Sequence, residues 1–263
     1  MLVDLLNALA GLVVGFLVGF TGVGAGALMT PLLVLALGVA PQTAVGTDLL
    51  FASITKGVGV WVHGKRGSID REVLRRLCIG SLPTAALTLL LLHYFPDNRG
   101  LGALILPGLG VALVVTSLAM MFQVRLNRLG KQLRTDSPAR FKGAQPLLTV
   151  CAGALLGFLV TLTSVGAGAL GVVMLVYLYP FRLTPPKLVG TDIAHAVPLT
   201  LIAGLGHLGL GNVDFSLLGP LLAGSIPGVV IGSRFSIKTN HNYLRRAIAV
   251  MLALVGLWIL MRM

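Results

Sequence analysis

Apolar residues run along this chain in long blocks, broken by short charged or glycine- and proline-rich connections. Blocks at 43–62, 73–93, 100–122, 188–208 and 245–261 reach the length of about 17–25 residues that a helix needs to cross a bilayer. None alternates with the period of two expected of a transmembrane barrel strand. The pattern predicts an all-α polytopic membrane protein. Two shorter arms, 3–20 and 25–38, would measure about 21–27 Å as helices, less than a hydrocarbon core of about 30 Å. Around their junction, "GFLVGFTGVGAGAL" at 15–28 carries five glycines. Glycine costs a helix interior about 1 kcal/mol relative to alanine, so the stretch predicts a deliberate break and a helical hairpin.

The break occurs twice. "GFLVTLTSVGAGAL" at 157–170 is identical to 15–28 at eleven of fourteen positions. Further on, "VGTD" at 45–48 matches "VGTD" at 189–192, His63 matches His207, Asp70 matches Asp214, and Gly80-Ser81 with Pro83 matches Gly224-Ser225 with Pro227. The chain therefore divides into a first membrane repeat, 1–122, a basic linker, 123–144, and a second repeat, 145–263. Each repeat is expected to hold a short hairpin, broken at its glycine-rich turn, and three transmembrane helices.

Charge then orients the repeats. The connection 63–76 holds five Lys or Arg, and its counterpart 207–215 holds none; 94–100 holds only Arg99, and its counterpart 234–246 holds four. Corresponding connections thus fall on opposite sides of the membrane under the positive-inside rule, which makes the repeats inverted. Seventeen of the 20 basic residues fall on the cytoplasmic side if 180–187 is also inside. Both termini are then expected outside. The net charge of +12 is a topology signal rather than a nucleic-acid footprint. The start of the chain, with Asp4 and no Lys or Arg among its first residues, reads as a membrane segment rather than a signal peptide. Cys78 and Cys151 stand in apolar surroundings without CxxC spacing and read as buried inert thiols; no metal or cofactor site is expected.

A backbone break at membrane depth is tolerated only inside protein or against a wet cavity. There, the N–H groups and partial positive charge of a helix start form a ready site for an anion. The candidate substrate-binding residues are Thr21, Gly22, Val23, Gly24, Ala25 and Gly26 in one turn, and Thr163, Ser164, Val165, Gly166, Ala167 and Gly168 in the other. Thr47, Thr191 and Lys56 join them from the segments that follow. Packing glycines are the alternative explanation of the same turns. Asp48 and Asp192, carboxylates within apolar flanks, are candidates for coupling or gating, with helix capping as the competing role. His195 stands three residues from Asp192 on one helical face, a proton-relay spacing. His63 and His207 fall at segment ends and read as interfacial.

The glycine-rich hairpin with Gly22, Gly24, Gly26 and Pro31, followed by "AVGTDLLFASITK" at 44–56 and by both motifs again in the second half, resembles the TauE/SafE family over nearly the whole chain. The resemblance implies a bacterial or archaeal plasma-membrane permease for sulfite, sulfonates such as sulfoacetate, or related oxyanions, with no catalytic residues. The expected partners are a small anion and the lipid bilayer, with self-association left open and nucleic acid not among them. The expected mechanism is secondary transport by alternating access, with proton coupling through the carboxylates. Two other readings compete. An anion channel would line its pore with the same turns. An intramembrane enzyme using Asp48, Asp192 and His195 would lack a nucleophile–base set or an HExxH motif.

Overall fold

The computed structural model describes residues 2–21, 26–64, 68–94, 101–136, 138–236 and 242–262. These form ten α-helices: α1 (Leu2–Thr21), α2 (Gly26–Leu35), α3 (Pro41–Gly64), α4 (Arg71–Tyr94), α5 (Ile105–Asp136), α6 (Pro138–Thr163), α7 (Ala169–Leu178), α8 (Pro185–Gly209), α9 (Phe215–Ser236) and α10 (Asn242–Met261). A short 3-10 turn at Leu101–Leu104 precedes α5. Five of the helices, α4, α5, α6, α8 and α9, contain stretches long and apolar enough to span a membrane. The chain is an all-helical polytopic membrane protein.

The expected segments 3–20, 43–62, 73–93, 188–208 and 245–261 fall within α1, α3, α4, α8 and α10; 100–122 enters α5 only after the 3-10 turn, and two further boundaries differ. The arms of each hairpin are unequal. With 20 residues, α1 is about 30 Å long, whereas α2 and α7, with ten each, are only about 15 Å. The linker 123–144 is almost wholly helical. α5 runs on to Asp136, and α6 begins at Pro138, because "QVRLNRLGKQLR" is built from good helix formers. Its Gly130 packs against the carbonyl of Tyr177, and Lys131 sits over the Phe181 ring at 5.9 Å.

Close helix pairs come from opposite halves. In α1, Gly11, Gly15 and Gly19 meet the backbone of Leu221, Ser225 and Val229 in α9, so these two helices run parallel with no room for a side chain between them. In α4 and α6, Leu77 and Ser81 meet Gly153 and Gly157 in the same parallel sense. By contrast, α3 packs on α8 and α5 on α10 in antiparallel fashion: Gly110 faces Gly256, and Ser117 donates to the carbonyl of Ala249 at 2.6 Å. Dispersion between closely approaching backbones drives such packing where lipid offers no hydrophobic gain. Gly15 and Gly19 of the first glycine-rich stretch therefore serve helix contact rather than the turn.

The second hairpin is fully described. α7 returns along α6: Gln145 Nε2 donates to the carbonyl of Leu178 at 2.6 Å, and the Thr149 and Tyr179 hydroxyls are 2.8 Å apart. Its turn leaves helical geometry through positive φ at Ser164 (58°), Gly166 (120°) and Gly168 (129°), a conformation open to glycine at little cost. In the first hairpin, Thr21 ends α1 and Gly26 begins α2; Gly22, Val23, Gly24 and Ala25 lie outside the described residues.

Three expectations about side chains fare differently. His207 is fully buried rather than interfacial: its Nε2 lies 2.9 Å from the carbonyl of Thr161, and the Asn212 amide lies 3.4 Å from Nδ1. The side chain of His63 lies outside the described residues. Cys151 is exposed and Cys78 only half-buried, so neither is a core thiol. An apolar helix face in a membrane protein has lipid as an alternative to the core, and apolar flanks do not distinguish the two.

Candidate functional site

Each "VGTD" begins as a clamp on the opposite half. A side chain at Gly46 would collide with the carbonyl of Asn212, and one at Gly190 with the carbonyl of Ser68. The next residue completes the contact. Thr47 Oγ1 accepts a hydrogen bond from the Asp214 N–H at 3.0 Å, and Thr191 Oγ1 accepts one from the Asp70 N–H at 2.9 Å. Both threonines are fully buried. They hold the connections that lead into α9 and α4, and their hydroxyls are committed to backbone.

The aspartates that follow point to the interior. Asp48 is seven residues into α3 and Asp192 seven into α8, about 10 Å along each helix. Because the two helices are antiparallel, the carboxylates stand at different depths. Both are buried, and each keeps one oxygen, Oδ1, without a partner. Asp48 Oδ2 accepts a hydrogen bond from Thr30 Oγ1 of α2 at 2.5 Å. The Ser164 hydroxyl lies beside the same carboxylate without closing a hydrogen bond of good geometry. Asp192 Oδ1 instead lies against the Cα of Gly171, in the first turn of α7, where any larger residue would displace it.

Lys56 joins these groups. Its buried ammonium donates to the carbonyl of Ala167, within the second glycine-rich turn, at 2.7 Å. Asp48 lies two turns earlier on the same helix, and α8, which carries Asp192 and His195, packs against it, yet among the described residues no ion pair joins Lys56 to either carboxylate. The ammonium has three donors and spends one of them on Ala167. Around it the turn is ordered by its own bonds. Thr163 Oγ1 accepts from the Val165 N–H at 3.2 Å, and the Gly171 and Val172 N–H groups bond to the carbonyls of Gly166 and Gly168. The N–H groups of Ala169 and Leu170 open α7 without intrahelical acceptors, as at any helix start.

Of the sequence candidates, the structure brings together Lys56, Asp48, Asp192, His195 and the turn at 163–168. Thr47 and Thr191 stand apart at the loops; Thr21 and Gly26 bound their helices, and the surroundings of both lie outside the described residues. Asp192 and His195 do not bond to one another; His195 Nε2 lies 2.8 Å from Ser81 Oγ of α4. Sequence reasoning missed Thr30, Ser81 and Gly171. Ser81 carried a signal, since Gly-Ser recurs at 224–225; Thr30 carried none, since its counterpart is Val172. A cavity of about 330 Å³ lined by Leu35, Leu254, Val255 and Trp258 is apolar and offers an anion nothing.

At the basic end of the molecule, Arg182 binds Asp70 through two hydrogen bonds of 2.7 and 2.9 Å and reaches Glu72 at 2.6 Å. Burial alone would raise the Asp70 carboxyl, but the hydrogen bonds from Arg182 and Val73 outweigh it and hold it below the usual carboxylate range. At the other end, Asp214 has no such cation among the described residues. It accepts from Ser216 and caps the start of α9.

A buried ammonium, a broken hairpin and two buried carboxylates thus meet inside a helical membrane protein, and comparison with known proteins supplies the family. The Sulfite exporter TauE/SafE family matches residues 7–259. The chain belongs to the TauE/SafE family. Among its relatives are three from Bacillus subtilis (strain 168). The probable membrane transporter protein YjnA is 41% identical over 95% of this chain and 96% of the relative. The probable membrane transporter proteins YdhB and YunE are 26% and 23% identical, each over 94% of this chain and over 96% and 93% of the relative. No solved structure matches. This TauE/SafE protein is thus a multi-pass membrane transporter and not an enzyme.

Proposed function

We propose that the protein is a secondary transporter of a small sulfur-containing anion, such as sulfite, a sulfonate or a related oxyanion, coupled to protons and working by alternating access of two inverted repeats. The observation that carries this reading is the Lys56 ammonium, buried and bonded to the Ala167 carbonyl across the two halves. A buried cation with donors unused among the described residues, beside a helix start whose first N–H groups lack intrahelical acceptors, suits an anion. Asp48 and Asp192 oppose it while ionised. Protonated, each carboxyl becomes a donor, so binding of the anion and uptake of protons favour one another, as linkage requires.

Three features support inverted repeats: the duplicated motifs, the parallel pairing of α1 with α9 and of α4 with α6, and the antiparallel self-pairs α3–α8 and α5–α10. A cytoplasmic location of the basic connections is supported by Arg182, Asp70 and Lys131 sharing one end of the molecule. Both termini then face outside, in the plasma membrane. The test is sulfite uptake into proteoliposomes. Saturable uptake that is accelerated by an inward proton gradient and shows counterflow is expected. Conductance without counterflow points to a channel and overturns the proposal.

A further inference from the structure

The imidazole of His195 is buried on α8. Its Nε2 is 2.8 Å from the hydroxyl of Ser81, and its Nδ1 is buried without a partner. Ser81 makes no other hydrogen bond among the described residues, so its hydroxyl hydrogen has one acceptor within reach, Nε2. Of the ring's three protonation forms, two carry hydrogen on Nδ1: the neutral Nδ1–H tautomer and the imidazolium. The third, neutral with hydrogen on Nε2, would leave both the Ser81 hydrogen and the Nδ1 lone pair unmatched in the interior. Each orphaned buried polar group costs about 1–3 kcal/mol, and the arrangement with fewest orphans places a hydrogen on Nδ1. That leaves one buried N–H donor with nothing to donate to, on α8, the helix that packs against the α3 helix of Lys56.

From this geometry we infer that His195 is a substrate-binding donor, its Nδ1–H completing the anion site begun by Lys56, with Ser81 as the positioning residue that fixes the tautomer. The inference rests on the transport reading above and replaces the relay role that the Asp192–His195 spacing suggests. It also sharpens the substrate class. Two donors from different helices, an ammonium on α3 and an N–H on α8, suit an anion with at least two acceptor oxygens, such as sulfite or a sulfonate, rather than a halide. The equivalent positions in the other repeat, Phe51 and Ser225, cannot do this; Ser225 Oγ is buried without a partner.

The test uses the full-length protein in liposomes with 15N-labelled histidine, the His195 signals being those that vanish in H195N. Before any anion is added, the Nδ1-protonated pattern is expected, with a shift of the Nδ1 signal on adding sulfite. Asparagine keeps a donor at the Nδ1 position, so H195N should bind sulfite within about threefold of wild type. Glutamine keeps only the contact with Ser81, so H195Q should weaken binding by about 10- to 100-fold, as for one lost hydrogen bond to a charged group. S81A should let the Nε2-protonated form appear and weaken binding less than H195Q does. An Nε2-protonated ring in the wild type, or H195Q binding as tightly as wild type, overturns the inference and leaves the transport reading standing. A wild-type protein that binds neither sulfite nor sulfoacetate overturns both.

Discussion

The two halves of this transporter share a scaffold and differ in equipment. Gly46-Thr47 holds Asn212 and Asp214, and Gly190-Thr191 holds Ser68 and Asp70, in the same way. Inside that frame the correspondence stops. Lys56 stands where the second half has Thr200, whose hydroxyl bonds its own helix at Ala196. His195 stands where the first half has Phe51. Thr30, which donates to Asp48 Oδ2, has Val172 as its counterpart, and Gly171, which makes room for Asp192, has Met29. Repeated residues build the frame, and most of the residues around the two repeated carboxylates are unrepeated. A strictly symmetric interior would repeat every charge, whereas the two carboxylates are duplicated and the Lys56 ammonium is not.

That contrast can be broken most severely at Lys56. Lys56→Thr copies the other half and removes the only ammonium found in the described interior, so sulfite uptake into proteoliposomes should fall by at least about 100-fold, equivalent to about 2.7 kcal/mol. The aspartates come next. The proposed coupling has the anion bind best when they are protonated, so affinity should weaken as pH rises in the wild type. Asp192→Asn and Asp48→Asn, permanently neutral, should each flatten that dependence. The effect of Asp192→Asn should be the larger, because Asp48 keeps its hydrogen bond from Thr30. Unaltered pH profiles in both variants would make the carboxylates structural.

Smaller effects test the frame. Thr47→Val and Thr191→Val each remove one buried hydrogen bond to a loop N–H and should cost a similar amount, about 1 kcal/mol, in thermal unfolding, with sulfite affinity changed by less than twofold. Unequal losses would break the equivalence of the clamps. Asp70→Asn should be the mildest, at about 0.5 kcal/mol, because the Arg182 guanidinium is partly exposed and screened. The sign of its pH dependence follows from the depressed carboxyl. Its contribution is present above the unfolded value of about 3.9 and is lost only as pH falls through the lower folded value. The wild type and Asp70→Asn should therefore differ at neutral pH and converge in strong acid.

Much of this was legible in the chain. Apolar length marked the spanning helices, and the duplicated "VGTD" marked the two carboxylates, because a charge within apolar flanks is costly enough to need a reason. Lys56 was visible on the same ground. The unequal hairpin arms were not, since α2 and the residues after it are equally apolar and hydropathy does not say where a helix stops. Helix propensity in the basic linker was masked by its charge. The clamp roles of Thr47 and Thr191 depend on partners 167 and 121 residues away. Ser81 and His195, 114 residues apart, meet through the tertiary packing of α4 on α8. His207 shows the same limit from the other side: its position at a segment end concealed a buried partner on α6.

The most direct measurement is equilibrium binding of radiolabelled sulfite to purified wild type and Lys56→Thr, both first shown to unfold cooperatively at similar temperatures. Saturable binding by the wild type, with affinity at least about 100-fold weaker in the variant, is the expected result. Equal affinity in the two proteins would contradict the assignment of the anion to the Lys56 site.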